Sequence, residues 1–193
     1  IGFSLTGLAG KAPITLAGAR AGDVLILTKS LGSGVVMAAE MQAKARGADV
    51  AAALDLMMQS QATASGILLD AHAMTDVTGF GLAGHLAGIC AASGVAADLQ
   101  LSAVPVMDGA LALAETGVRS SLYPANRSGA GPVHGANGPL GDLLFDPQTA
   151  GGLLAAVAPD RAGAALKQLV AAGYRAASIG TIVDGDPMIT VRP

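Results

Sequence analysis

Tryptophan is missing from this 193-residue chain, and three Phe and two Tyr are its only other aromatic side chains. So few flat rings leave little for bases to stack on, and a net charge of −3 gives no attraction for a polyanion. Both features speak against a nucleic-acid partner. Cys90 is the one cysteine, so no disulfide can form within the chain, and a reducing cytoplasm is the expected compartment. Charged residues are scarce at 13%, yet no apolar run is long enough to span a bilayer, because Gly, Asp, Gln or His interrupts each one. No membrane association is expected, and the first residues lack the basic start and cleavage pattern of a signal peptide. What is abundant is small and apolar. Hydrophobic residues make up 52% of the chain and many are alanine, which predicts small-faced, closely packed helices in one domain with a full core.

Element signals run the length of the chain. Asp23 to Lys29 is apolar and β-branched, a strand entered through Gly22. Leu31-Gly32-Ser33-Gly34 reads as a tight turn, with Ser33 the N-cap of a helix over Val35 to Arg46 and Gly47 its stop. Asp49 is expected to cap a helix reaching Met58, and another follows from Ser60 to Leu69. A short buried strand, Ala71 to Met74, then delivers Thr75 and Asp76 to its end. Further on are a helix over Leu82 to Ala92 stopped near Gly94, a strand over Val95 to Leu101, and a helix over Met107 to Thr116 ended by Gly117. Pro124 to Pro139 is rich in Pro and Gly and reads as a long irregular loop, the kind found when a segment is functional or disordered. Asp142 to Phe145 and Gly152 to Val157 read as strands. Pro159 opens a helix ending at Gly173, and strands over Ala176 to Val183 and Met188 to Val191 turn at Asp184-Gly185-Asp186-Pro187. Strands and helices mix without strict alternation, which predicts an α+β fold.

The most informative stretch is Thr75-Asp76-Val77-Thr78-Gly79-Phe80-Gly81-Leu82-Ala83-Gly84-His85. Two hydroxyls and exposed backbone N–H groups supply donors, the glycines let a phosphate approach the main chain, and the helix that follows adds partial positive charge. Asp76 would repel a bare phosphate. It makes sense beside a divalent cation, and Mg²⁺ is the usual choice where carboxylate and phosphate oxygens share a metal. Helix capping is the bland alternative for Asp76, and local backbone bonding for Thr75 and Thr78. Asp146-Pro147-Gln148-Thr149-Ala150-Gly151-Gly152 is a second Gly-rich loop with amide and hydroxyl donors, readable equally as a ligand loop or as a β-turn between paired strands.

The first stretch resembles the TDVTGFGxxGH signature of the selenophosphate synthetases (selenide, water dikinases), in the superfamily of aminoimidazole ribonucleotide synthetase. Matching segments follow in order: Gly22 to Lys29 with Leu31-Gly32-Ser33-Gly34, then Asn126-Arg127, then Phe145 to Leu154. The resemblance implies a layered α/β/α domain with a mixed sheet, and an enzyme that turns ATP, selenide and water into selenophosphate, AMP and phosphate with Mg²⁺ and K⁺, as a homodimer. It implies Asp76 as metal ligand; Thr75, Thr78, Gly79 and Gly81 as the pocket; and Asn126 with Gln148, Thr149, Gly151 and Gly152 closing the nucleotide site, with Arg127 as a phosphate-pairing cation. In that family the nucleophilic Cys or selenocysteine, a catalytic Lys and further metal carboxylates sit in an N-terminal domain. No catalytic residue is therefore assigned here; residues 1–22 are read as the connection from that domain, 23–193 as the C-terminal domain, and the isolated chain, which opens without Met, as an inactive half-site. The family usually carries Ser where this chain has Ala150.

Other candidates have plainer readings. His85 is expected to be a neutral, hydrogen-bonded helix histidine and Cys90 a buried, inert thiol. Phe80 is assigned to core packing. Lys29 lies in the wrong order relative to its glycines for a P-loop and is read as structural. The rival functions are another superfamily kinase or dehydratase, or a non-catalytic binding or oligomerisation module.

Overall fold

The computed structural model describes residues 4, 6–8, 10 and 12–193. Seven strands form one mixed sheet: β1 (Val24–Leu27), β2 (Ala73–Asp76), β3 (Ala96–Gln100), β4 (Val133–His134), β5 (Leu153–Val157), β6 (Ala177–Val183) and β7 (Ile189–Arg192). Their order across the sheet is β2-β5-β1-β6-β3-β7-β4. Neighbours are antiparallel from β2 to β3 and parallel from β3 through β7 to β4. The two last strands are therefore no hairpin, because β3 lies between them.

Strand alternation places the layers. In β1, Leu25 and Leu27 join a core cluster on one face and Ile26 joins a cluster on the other; in β5, Leu154 and Ala156 part from Ala155 and Val157 in the same way. Helix α4 (Gly81–Ser93) covers the first face through Leu82, Leu86, Ile89 and Cys90, and ends at Gly94 in the left-handed conformation. The short helix α3 (Ala62–Ile67) and the helix α8 (Pro159–Ala171) cover the second face through Ala64, Ala162, Ala165 and Leu169. The result is the α/β/α layering that the resemblance implies. A third cluster joins α1 (Ser33–Met41), α2 (Gly47–Met58) and α5 (Ala110–Glu115) through Val35, Val36, Ala39, Ala53 and Ala114.

Several expectations need correction. Helix α1 stops at Met41 and not at Arg46, and Gly47 opens α2 instead of ending α1. Arg46 is the N-cap residue of α2; Asp49 lies inside its first turn, where the carboxylate suits the helix dipole. The Pro124 to Pro139 stretch is not an irregular loop. It carries α6 (Tyr123–Gly129), β4 and α7 (Gly138–Asp142), joined by turns. Pro124 and Pro139 each sit in a helix's first turn, where the missing N–H has no partner to lose. Asp142 to Phe145 is the end of α7 and a 3₁₀ turn, not a strand. Of the expected connecting segment 1–22, residues 1–3, 5, 9 and 11 lie outside the described residues. Further along it, Thr15 accepts a hydrogen bond from Met74 N, and Ser93 Oγ accepts from Gly18 N and Ala19 N. Ala19 is buried in the core, so this part of the segment packs along β2 and α4.

Candidate functional site

Strand β2 ends on Thr75 and Asp76, paired with Leu154 and Leu153 of β5. The chain then turns inward, Val77 is buried, and its N–H donates to Gly152 O at 2.8 Å. Gly81 closes the turn with its N–H on Thr78 O. It has φ +73°, and a Cβ there would lie 2.8 Å from Leu144 O, so glycine is required by conformation and by space. Thr78 N donates to His85 Nε2 at 2.9 Å, which fixes that nitrogen as an acceptor and the ring proton on Nδ1. The Thr78 hydroxyl lies 3.2 Å from the same nitrogen and donates to it as well. Burial pushes the His85 pKa below its ordinary value, and the charge of Asp76 pulls only part of the way back. His85 is thus the neutral, hydrogen-bonded helix histidine expected. Phe80 is not a core residue: it is 69% exposed and leans on the His85 ring at a centroid distance of 5.8 Å.

The second loop does its chemistry inward. Gln148 Oε1 accepts from Gly32 N at 3.0 Å, Ser33 N at 3.2 Å and Ser33 Oγ at 3.2 Å, while Asp146 Oδ2 accepts from Gly34 N at 3.0 Å. These two side chains satisfy the orphan donors at the start of α1. Ser33, expected to be the cap, is instead the first helical residue, and its Oγ accepts from Thr149 N. Asp146 is buried, and desolvation raises its pKa to about 6 against the pull of its hydrogen-bond donors. Ala150 adopts φ +48°, and its carbonyl accepts from Lys29 Nζ at 3.0 Å. Lys29 is buried, which lowers its pKa. Gly151 O accepts from Gln61 Nε2 at 2.6 Å. A Cβ on Gly151 would overlap Val77 O and one on Gly152 would stand 2.5 Å from Lys29 N, so both glycines are explained by close packing.

Asn126 ties the two loops together. Its Nδ2 donates to Gly79 O at 2.8 Å and to Phe145 O at 3.0 Å, and beside it Gln148 N donates to Thr78 O at 2.9 Å. The residues of the two loops singled out from sequence thus fall into two groups. Gly81, Asn126, Gln148, Gly151 and Gly152 are consumed by internal contacts. Asp76, Gly79 and Thr149 are exposed, Thr75 is partly so, and Thr75 Oγ1 makes one bond, to Asp76 O. Arg127 is engaged internally: it pairs with Asp142, donates to Ala136 O and stacks on the Phe145 ring.

Gly79, Gln148 and Thr149 open onto a cleft of about 530 Å³, whose other walls include Ser33, Gly34 and Arg119. Arg119 had no sequence signal. It donates to Ala114 O, Val118 O and Asp142, and lies over the Tyr123 ring. Tyr123 OH also donates to Asp142, and the guanidiniums of Arg119 and Arg127 share that carboxylate behind the cleft.

Among the described residues no three His, Cys, Asp or Glu side chains gather as a metal cage, and Asp76 has no ion-pair partner. One free, exposed carboxylate fits Mg²⁺, which takes one or two protein carboxylates and fills the remainder of its shell with phosphate and water oxygens. It does not fit a closed zinc site. Cys90 is buried with its pKa raised to about 11, an inert thiol as expected.

Residues 20–191 match the family described as AIR synthase related protein, C-terminal domain. The chain belongs to that family. As an AIR synthase related domain it is 39% identical over 186 residues to a selenide, water dikinase of Burkholderia pseudomallei, covering 91% of this chain and 51% of the relative. It is 38% identical over 200 residues to the selenide, water dikinase of Myxococcus xanthus, covering 98% and 56%. The domain thus spans about half the length of the curated relatives it matches. Its fold is similar to that of the hydrogenase maturation protein HypE in complex with ATP, with TM-score 0.62 and 23% identity over 89% of this chain and 45% of that one. No helix among the described residues is long and apolar enough to cross a membrane.

Proposed function

We propose that this AIR synthase related domain is the C-terminal half of a selenide, water dikinase, completing a site for ATP and Mg²⁺ in an enzyme that makes selenophosphate, AMP and phosphate from ATP, selenide and water. The observation that carries the reading is the identity of 38–39% to proteins of that name across nearly the whole chain. In this reading residues 23–193 form the domain and the preceding segment connects to an N-terminal domain that holds the nucleophile and the catalytic Lys. The enzyme is a cytoplasmic homodimer that also uses K⁺.

Asp76 is the residue that would hold Mg²⁺, which when bound neutralises phosphate charge and orients the nucleotide. Thr75, Gly79 and Thr149 face outward beside it, where hydroxyl and backbone groups can meet phosphate oxygens. Thr78, Gly81, Asn126, Gln148, Gly151 and Gly152 fix those groups in place, since their own polar atoms bond the two loops to each other and to α1. The likeness in fold to a HypE in complex with ATP supports nucleotide binding by the whole enzyme.

The test is Asp76→Asn in the full-length enzyme containing this domain, read as selenophosphate formation across a Mg²⁺ titration with thermal unfolding as control. Loss of activity by orders of magnitude with an intact melting transition is expected. Near-normal activity at ordinary Mg²⁺ refutes the metal role, and selenide-dependent ATP turnover by the chain alone refutes the half-site.

A further inference from the structure

Lys29 is a cation in a place that offers it little. Its side chain is buried, and it has no ion pair among the described residues. The ammonium carries three N–H donors and makes one hydrogen bond among those residues, to Ala150 O at 3.0 Å. A lysine so placed loses hydration without gaining a counter-ion, and its lowered pKa has that cause. An apolar side chain of similar length would fill the same space at less cost, so packing does not account for the charge.

The carbonyl that Lys29 holds belongs to a strained residue. Ala150 has φ +48°, in the left-handed region that suits glycine and strains alanine. The loop around it is anchored from distant segments: Thr149 N donates to Ser33 Oγ at 2.9 Å, Gly151 O accepts from Gln61 Nε2 at 2.6 Å, and Leu153 N donates to Thr28 Oγ1 at 2.8 Å. Between those anchors the path turns through a left-handed residue at 150. Thr149, next to that turn, is exposed and lines the signature cleft. We propose that Lys29 is a positioning residue for this cleft: its ammonium draws the Ala150 carbonyl inward, holds Ala150 left-handed against its steric preference, and so keeps Thr149 turned toward nucleotide phosphate. A charged donor suits the task, because it bonds a carbonyl more strongly than a neutral one does, and more so away from water. Ligand then meets a loop that is already ordered. The nucleotide part of this inference rests on the dikinase reading, whereas the clamp on Ala150 stands apart from it.

The experiment compares Lys29→Met, Ala150→Gly and the double variant. Methionine keeps the length and apolar stem of lysine but cannot donate, and glycine takes the left-handed conformation without strain, which makes the lysine dispensable. In the ligand-free chain, the ¹³Cα and ¹³Cβ shifts of Ala150 are expected to report a left-handed residue in the parent and to lose that signature in Lys29→Met, with the Thr149 amide signal moving too. In the double variant the Thr149 amide is expected where Ala150→Gly alone puts it. In the full-length enzyme containing this domain, the ATP dissociation constant from calorimetry should rise about tenfold in Lys29→Met, as the loop leaves its competent conformation, and the double variant should return to within about twofold of Ala150→Gly. A lysine that only filled space would not be rescued by taking a methyl group off residue 150. A double variant that folds where Lys29→Met does not would likewise support the clamp. A left-handed signature unchanged in Lys29→Met, no rescue by glycine, or failure of both variants to fold would each overturn the proposal, as would an ATP affinity unmoved by Lys29→Met. Absence of ATP binding by the parent full-length enzyme would refute the dikinase reading instead, and the ligand-free spectra would still decide the clamp.

Discussion

Asn126 looked from sequence like a side chain facing nucleotide, yet its amide nitrogen donates to two main-chain carbonyls, Gly79 O at 2.8 Å and Phe145 O at 3.0 Å. Replacing it with Ala removes both bonds and leaves the Phe145 carbonyl, in a buried residue, without this donor. Two hydrogen bonds at about 1 kcal/mol each, with a further contribution from the stranded carbonyl, give a loss of about 2–3 kcal/mol. For a domain of this size that lowers the midpoint of thermal unfolding by roughly 5–10 °C. Asn126→Asp should do no better, because it sets carboxylate oxygens against the same carbonyls. The assay is thermal unfolding followed by circular dichroism, backed by urea midpoints, on the ligand-free chain. Thr149→Ala, at an exposed position, serves as control and should stay within about 0.5 kcal/mol of the parent. An Asn126→Ala midpoint within about 1 °C of the parent, by the same conversion, would refute the clasp and return Asn126 to a role in ligand contact.

Asp146 makes stability pH-dependent. Its folded pKa of about 6 lies above the ordinary 3.8, so the folded state holds the proton more tightly, and stability falls as pH rises through that window, by about 3 kcal/mol in all. Urea unfolding across the window should show this slope in the parent and a flatter profile in Asp146→Asn; equal profiles would contradict it. His85 should carry its proton on Nδ1 at neutral pH and titrate below the usual histidine range, which ¹⁵N chemical shifts of the ring can read; an Nε2–H tautomer would break the Thr78 assignment. Gly151→Ala drives a methyl into Val77 O, and should cost more than about 2 kcal/mol or abolish folding, whereas Gly79→Ala, with nothing within 4 Å of the added carbon, should be mild. Comparable melting points for the two variants would count against the packing account.

Local chemistry was enough to place much of this protein. Continuous apolar runs marked β1 and β5, Pro159 and Gly173 bracketed α8, and the left-handed Gly94 ended α4, because each depends on residues adjacent in the chain. The first signature suggested an anion and cation edge through residue types alone. Two short helices at the two ends of 124–139 were hidden, since five to seven residues are too few to show a helical period and their prolines read as breakers. The cap of α1 was equally invisible. Its acceptor, Gln148, stands 115 residues from Ser33, and nothing near Ser33 in sequence says that the N–H groups are already satisfied from there. Arg119 and Asp142 likewise meet only because α5 and α7 pack together. Sequence by itself determined which residues are proposed to meet phosphate and metal. Tertiary structure decided which of them remain free to do so, because a donor turned inward onto a buried carbonyl is no longer available to a ligand, and only the packing of distant segments fixes which way each one turns.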